Sequence, residues 1–290
     1  MGIIIMTYRK TYRIFEKEER ELVYEDILNE SGQIISFNDY QSPGQTEGYN
    51  KYDVNGILIC ERELTDGKEG SRTEYSYNSN GDIVSKKLFV AGELFEEMIF
   101  EYLDKGFVKR TIQHEEEIER FIENEDGIKF LREFFEGHEL IERHDGKYDP
   151  KTRTERIRIT DNDGRLLATR FQEFDESENL LKYEEKNENG NVLVLIEYKY
   201  KNNEIVFEKH DNYLNEKYYE VVYEYDSCGN LISQEIRTPS GNLLEYQKQM
   251  FDEQGRLISE SGYSVGSFNA IYGTYVQGEK YTFEHEYEEK

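Results

Sequence analysis

Tryptophan is absent from the 290 residues, proline occurs three times and cysteine twice. So little proline leaves no Pro-rich linker to separate domains, and residues 1–290 read as one domain. Cys60 and Cys228 are too few and too far apart for a disulfide framework or a cysteine-built metal site. No apolar run approaches the roughly 20 residues that a membrane span takes. The apolar start, Gly2-Ile3-Ile4-Ile5-Met6, is too short for a signal-peptide core and meets Tyr and Arg instead of a cleavage site. A cytoplasmic protein with free thiols is the expectation. Positive charge is scarce too: 36 basic residues face 62 acidic ones, a net charge of −26. That excludes a nucleic-acid partner, because neutralising phosphates takes a basic footprint.

Aromatic residues are abundant, with 24 Tyr and 16 Phe. Disordered acidic chains are poor in aromatics, so this chain folds. Its aromatics keep time. Tyr52-Asp53-Val54-Asn55-Gly56, Tyr77-Asn78-Ser79-Asn80-Gly81 and Tyr102-Leu103-Asp104-Lys105-Gly106 repeat one motif. Tyr148-Asp149-Pro150, Phe174-Asp175-Glu176-Ser177 and Tyr200-Lys201-Asn202-Asn203 continue it. Its clearest copies are Tyr225-Asp226-Ser227-Cys228-Gly229 and Phe251-Asp252-Glu253-Gln254-Gly255. The aromatics stand 25, 25, 46, 26, 26, 25 and 26 residues apart, the 46 being two steps around a degenerate copy at Asn124-Glu125-Asp126-Gly127. A second series of turns, Pro43-Gly44, Asp66-Gly67, Ala91-Gly92, Asp163-Gly164, Asn189-Gly190 and Ser240-Gly241, falls near the midpoints.

Asp and Asn bond their own backbone two residues on, and Gly supplies a positive φ, so each motif is a reversal. Reversals every 12 or 13 residues predict an all-β protein. The expected fold is a single antiparallel meander of about ten 25-residue β-hairpin repeats. Accumulated twist would curl it into an open spiral sheet. Residues 1–27 are expected as capping strands, 28–280 as the hairpin repeats and 281–290 as an acidic tail. Residues 113–137 fit the strand rhythm, although Ile118, Phe121, Ile122, Ile128, Phe130 and Phe134 also permit a helix pair.

The aromatic-Asp-x-x-Gly-x-Leu copies at Tyr52, Tyr225 and Phe251 resemble the YD repeats of the RHS family, of which this would be a short standalone member. The resemblance implies hairpins wound into a spiral sheet. Short proteins of this kind are similarly found as immunity or antitoxin-like partners of bacterial toxins.

Catalytic signals are weak. His114, His138, His144, His210 and His285 show no paired-ligand spacing, and His144-Asp145 has no nucleophile motif beside it. Surface histidines are the plain expectation. Asp161-Asn162-Asp163-Gly164 offers oxygen ligands but lacks the distal bidentate Glu of a calcium loop, and reads as turn chemistry. Cys60 reads as a small buried hydrophobe and Cys228 as an exposed turn residue. No catalytic residue, metal site or cofactor is assigned, and the chain is expected to be non-enzymatic. What remains is acidic surface interleaved with Tyr, suited to steering a basic partner protein. The candidate contact residues are Glu115, Glu116, Glu117, Glu184, Glu185, Tyr218 and Tyr219. The expected function is an immunity or antitoxin-like binder of a basic toxin or effector. The alternative is a structural RHS-like scaffold or an effector-associated substrate or cargo carrier.

Overall fold

The structure, a computed structural model, describes residues 6–15, 19–41, 45–124, 127–264, 267–269, 274–276 and 278–289. Among them the chain forms strands joined by turns and no helix. The first strands are β1 (Thr7–Ile14), β2 (Arg20–Leu28), β3 (Ile34–Asp39), β4 (Thr46–Tyr52), β5 (Leu58–Thr65) and β6 (Lys68–Tyr77). Next come β7 (Ile83–Val90), β8 (Glu93–Tyr102), β9 (Phe107–Gln113), β10 (Glu116–Asn124), β11 (Lys129–Glu136) and β12 (Glu139–Asp149). They are followed by β13 (Thr154–Asp161), β14 (Leu166–Phe174), β15 (Leu180–Asn187), β16 (Val192–Lys201), β17 (Glu204–Asn212) and β18 (Lys217–Tyr225). The last are β19 (Leu231–Arg237), β20 (Leu243–Phe251), β21 (Leu257–Ser264), β22 (Ser267–Asn269), β23 (Thr274–Val276) and β24 (Glu279–Glu289). β22 and β23 make a small hairpin of their own, and the other 22 strands belong to one sheet. By compactness the chain divides into two units, Met1–Gln45 with Ile196–Lys290, and Thr46–Leu195.

The turns explain the rhythm. At Asp53 the backbone N–H donates to the Ile57 carbonyl (2.8 Å), and the Gly56 N–H returns to the Asp53 carbonyl (3.1 Å). The Asp53 carboxylate accepts from the Asn55 and Ile57 N–H groups at 2.8 and 2.9 Å. This is a type I turn closed by a residue with positive φ. Asp226 and Asp252 build the same cage, as do Asn29, Asn78, Asp161, Asp175 and Asn187. Gly229 and Gly255 close theirs with φ of 86° and 77°, but after Asp175 the position is held by Glu178 at 65°. Asp163-Gly164, Asn189-Gly190 and Ser240-Gly241 belong to this class as well. Asp66-Gly67 and Ala91-Gly92 are different: both residues have positive φ, which defines a two-residue type I′ reversal. The copy at Tyr102 also departs from the motif. With Leu103 where the Asp should be, its N–H reaches the Gly106 carbonyl directly, without a side-chain cap. Pro43-Gly44 and the centre of the copy at 124–127 lie outside the described residues.

Beside each capped turn the register slips by one residue, so Tyr52 faces Leu58, Tyr77 faces Ile83, Tyr225 faces Leu231 and Phe251 faces Leu257. A bulge of this kind opposes two residues to one, which is why apolar residues occur in pairs there. Tyrosine adds a latch to the neighbouring hairpin. Tyr77 Oη donates to the Leu58 carbonyl at 2.8 Å, Tyr102 Oη to Ile83 at 3.0 Å and Tyr287 Oη to Leu257 at 2.9 Å. Each phenol therefore satisfies the carbonyl at the previous repeat's slip.

Among the described residues the buried apolar side chains are Val23, Ile157, Ile159, Ala168 and Val221. Aromatic contact supplies much of the rest. Tyr102, Phe107, Phe121 and Phe130 form a ladder across β8–β11, with ring centroids 6.1, 5.5 and 5.6 Å apart. Each such pair contributes about 0.5–1.5 kcal/mol beyond its burial. The ladder ends on Gly146 of β12, where an added Cβ would come within 2.0 Å of the Phe130 ring.

The expected open spiral is not what forms. β1 pairs antiparallel with β2 on one side, Thr7 to Leu28, and with β24 on the other, Thr7 to Glu289. β24 in turn pairs with β21, so the sheet is closed through its first and last strands by antiparallel pairing, and neither terminal strand is an edge. The charges of the two paired strands are complementary. β1 carries Arg9, Lys10 and Arg13 with no acid, while β24 carries five glutamates and one lysine. Arg13 bonds Glu279 at 2.8 Å, Arg20 of β2 bonds Glu286 at 2.8 Å, and Thr11 Oγ1 meets His285 Nδ1 at 2.9 Å. The residues read as an acidic tail are the strand that seals the sheet. Residues 113–137 are strands β10 and β11 with their turns, not a helix pair.

Candidate functional site

At the turn end of β8, β9 and β10, in the unit Thr46–Leu195, the strands leave a hollow of about 430 Å³. Its lining is Leu94, Phe95, Glu97, Ile112, His114 and Glu115. Local backbone geometry turns these groups outward. Leu88 faces Glu96 and Phe89 faces Leu94, so Phe95 is the extra residue of a bulge. His114 and Glu115 both have positive φ, 49° and 67°, and form the type I′ reversal between β9 and β10. Leu94 and Phe95 stay 46% and 38% exposed, and the Phe95 ring meets the His114 ring edge-on at 5.6 Å.

Two carboxylates, Glu97 and Glu115, share the lining with this apolar floor, and Glu116 and Glu117 follow in β10. Glu97 pairs with Lys87 at 3.3 Å, and Glu117 grips Arg120 through two bonds of 2.7 and 3.1 Å. That grip raises the Arg120 pKa above its ordinary value. Glu115 and Glu116 are exposed, with no cation at ion-pairing distance among the described residues. An apolar floor beside the uncompensated Glu115 carboxylate suits a long cationic side chain, which buries its stem and keeps its charged head at the rim.

The candidates from sequence do not all meet here. Glu115 lines the hollow, and Glu116 and Glu117 open the next strand. Glu184 and Glu185 lie on β15, which does not pair with β10, and point to opposite faces. Lys186 holds Glu184 at 2.6 Å, while Glu185 accepts from Arg170 at 2.6 Å and Tyr183 at 2.8 Å. Tyr218 and Tyr219 belong to the other unit. Tyr218 packs on Tyr213 at 5.7 Å. Tyr219 stacks on His210 at 4.5 Å, and the His210 Nε2 lies 2.5 Å from Glu208.

Two histidines are not the surface groups expected. His144 is 5% exposed, bonded to Glu142 at 2.6 Å and packed against Phe134, whereas Asp145 points away and is bound twice by Arg143. The pair is therefore no base with its orienting carboxylate. Burial is the main cause lowering the His285 pKa, and nearby Arg9 adds to it. Cys60 is half-buried and Cys228 exposed. The Asp161 carboxylate is used by its own turn, accepting from the Asp163 and Arg165 N–H groups. Sequence reasoning missed Leu94, Phe95 and His114. The available signal was an adjacent apolar pair one residue beyond the Ala91-Gly92 reversal, where alternation should have placed one of them inside.

The fold defines the class: an antiparallel β-hairpin protein whose sheet closes through its first and last strands. No protein-family model and no curated protein matches the chain. Solved structures do show similarity. One is a chain of the TcdB2-TccC3-Cdc42 crystal structure, at 14% identity and a TM-score of 0.24, covering 89% of this chain and 18% of that one. Another is the Photorhabdus luminescens Tc holotoxin pore bearing the TccC3-D651A mutation, at 14% identity, TM-score 0.25 and the same coverage. A porin-like protein from Bacteroides uniformis is 10% identical over 97% of both chains, at a TM-score of 0.30. The chain spans about a fifth of the length of the toxin chains it matches.

Proposed function

We propose that the protein is a non-enzymatic binding protein of the immunity or antitoxin type, which occludes a basic toxin or effector in the cytoplasm. The observation that carries this reading is the acidic hollow: Phe95 and Leu94 exposed in a lining shared with Glu115, which has no cation of its own among the described residues, next to exposed Glu116 at the start of β10. An exposed aromatic anchor surrounded by complementary charge is the usual composition of a binding hot spot. Membership of the RHS family as a short standalone protein belongs to the same proposal, supported by the aromatic-Asp-x-x-Gly-x-Leu motif.

The test compares capture of a basic protein from the native host by immobilised wild type and by the triple variant Phe95→Ala, Glu115→Lys, Glu116→Lys. Wild type should retain the partner at low salt, and both the variant and 1 M salt should release it. Retention unchanged at 1 M salt, where the Debye length is only about 3 Å, rejects the electrostatic reading, as does retention unchanged by the variant. A second reading, an RHS-like scaffold or cargo carrier, draws support from the phenol latches of Tyr77, Tyr102 and Tyr287, which join successive hairpins rigidly.

A further inference from the structure

The outward face of β12–β15 is chemically opposite to the rest of this acidic chain. Alternation along β13 sends Ile157 and Ile159 into the core and leaves Arg156 and Arg158 exposed. Pairing then aligns two rows across the strands. One runs Lys147, Arg156, Phe171, Glu184, and the other Asp145, Arg158, Thr169, Lys186. Neighbouring strands are about 4.8 Å apart, so Arg156, Arg158 and Lys186 of these rows converge, with Lys182, on one open cleft of about 500 Å³. Phe171 organises it from below, with the Arg156 guanidinium 4.9 Å and the Lys182 ammonium 6.0 Å from its ring centroid.

The charges within the cleft are unevenly matched. Asp145 is already committed to Arg143 through two bonds. Among the described residues, no carboxylate lies at ion-pairing distance of Arg156 or Arg158; the latter's hydrogen bond goes to the Gly164 carbonyl at 3.2 Å. Glu184 sits between Lys186 at 2.6 Å and Lys182 at 3.4 Å, and the Lys186 bond is the main cause holding its carboxyl below the usual range. An internal carboxylate between two lysines, beside two arginines without one, occupies the place of an anion.

The geometry points to a second binding site on this face, one that takes a compact, multiply charged oxyanion of the diphosphate class, with Glu184 as the internal competitor. Compactness follows from the surroundings. A net charge of −26 repels a long polyanion, whereas a small one bound inside the cleft feels mainly the nearby cations, because screening sets in within about 8 Å at physiological ionic strength. The site is independent of the acidic hollow and of the function proposed from it.

Calorimetric titration of the full chain with pyrophosphate, at fixed ionic strength, tests the assignment. A nucleoside diphosphate in a parallel arm separates an inorganic from an organic source: equal affinity assigns the site to the bare diphosphate, and tighter binding assigns it to the organic ester. Arg156→Gln with Arg158→Gln, both on exposed side chains, should weaken binding about 10-fold or more, since charge-assisted contacts are the strong ones. Glu184→Gln, which releases both lysines, should tighten it several-fold. Circular dichroism confirms that each variant keeps its strands. No saturable binding up to about 10 mM, affinity unchanged in the double arginine variant, or weaker binding by Glu184→Gln each overturns the assignment. So does binding of a poly-glutamate peptide without binding of pyrophosphate.

Discussion

Asp26 offers the most demanding test of how the sheet is held. Its residue is 2% exposed and its side chain is wholly buried. Arg9 of β1 is its partner: Nε donates to Oδ1 at 3.1 Å and Nη2 donates to Oδ2. Arg9 also interacts with the phenol of Tyr287 on β24, so one guanidinium ties together the three strands of the closing seam. Arg9→Met preserves the length of the side chain but leaves a carboxylate buried without a counter-charge, which costs about 3–5 kcal/mol. For a chain of this size roughly 2–4 °C is lost per kcal/mol, so the melting midpoint should fall by about 6–20 °C. The double variant Arg9→Met, Asp26→Leu removes both charges and should recover most of the loss, within about 1 kcal/mol of wild type or above it. Thermal denaturation followed by circular dichroism reads both. A single variant that melts within about 2 °C of wild type, or a double variant as damaged as the single, refutes the reasoning.

Three further outcomes follow from the turns. Glu178 holds a left-handed conformation that costs a non-glycine residue about 1–2 kcal/mol, so Glu178→Gly should raise the unfolding midpoint in urea; no gain would show the strain to be absent. Tyr77→Phe deletes the latch to the Leu58 carbonyl and should cost about 0.5–1.5 kcal/mol in the same assay, while a neutral result would make the latch ornamental. Hydrogen bonds hold several turn carboxyls below the ordinary carboxylate range, chiefly from the Ile57 N–H at Asp53 and from the Asn230 side chain at Asp226. At Asp252 burial is the largest single influence and pushes the carboxyl up. The hydrogen bonds from Arg256 and the Gln254 N–H, with the Arg256 charge, together bring it below that range. Folded values below unfolded ones mean stability that is complete above about pH 4 and is lost as pH falls through the folded values. Urea midpoints should therefore drop on acidification, and the drop should be smaller in Asp226→Asn; a flat profile would contradict the assignment.

Much of the local structure is written in short stretches of chain. Asp53, Asp226 and Asp252 make their own turns from residues within four positions, so spacing alone locates them. The aromatic before each Asp and the apolar pair after each Gly are likewise local, one facing the other across the register slip. The candidate site was legible only in part. Glu115 to Glu117 stood out as charge, but Phe95 became a surface residue through a bulge set by pairing with β7, which no single stretch of sequence encodes.

The sequence by itself determined where the chain reverses, because a turn is satisfied by its own side chain and backbone. Tertiary structure alone decided that the ends meet and that cations gather on β12–β15. Arg9 and Tyr287 are far apart along the polymer, and nothing in either neighbourhood announces the other. Arg156, Phe171 and Glu184 similarly become neighbours only through register. Periodicity describes how a strand treats its own neighbours, whereas closure and clustering depend on which distant strands share hydrogen bonds.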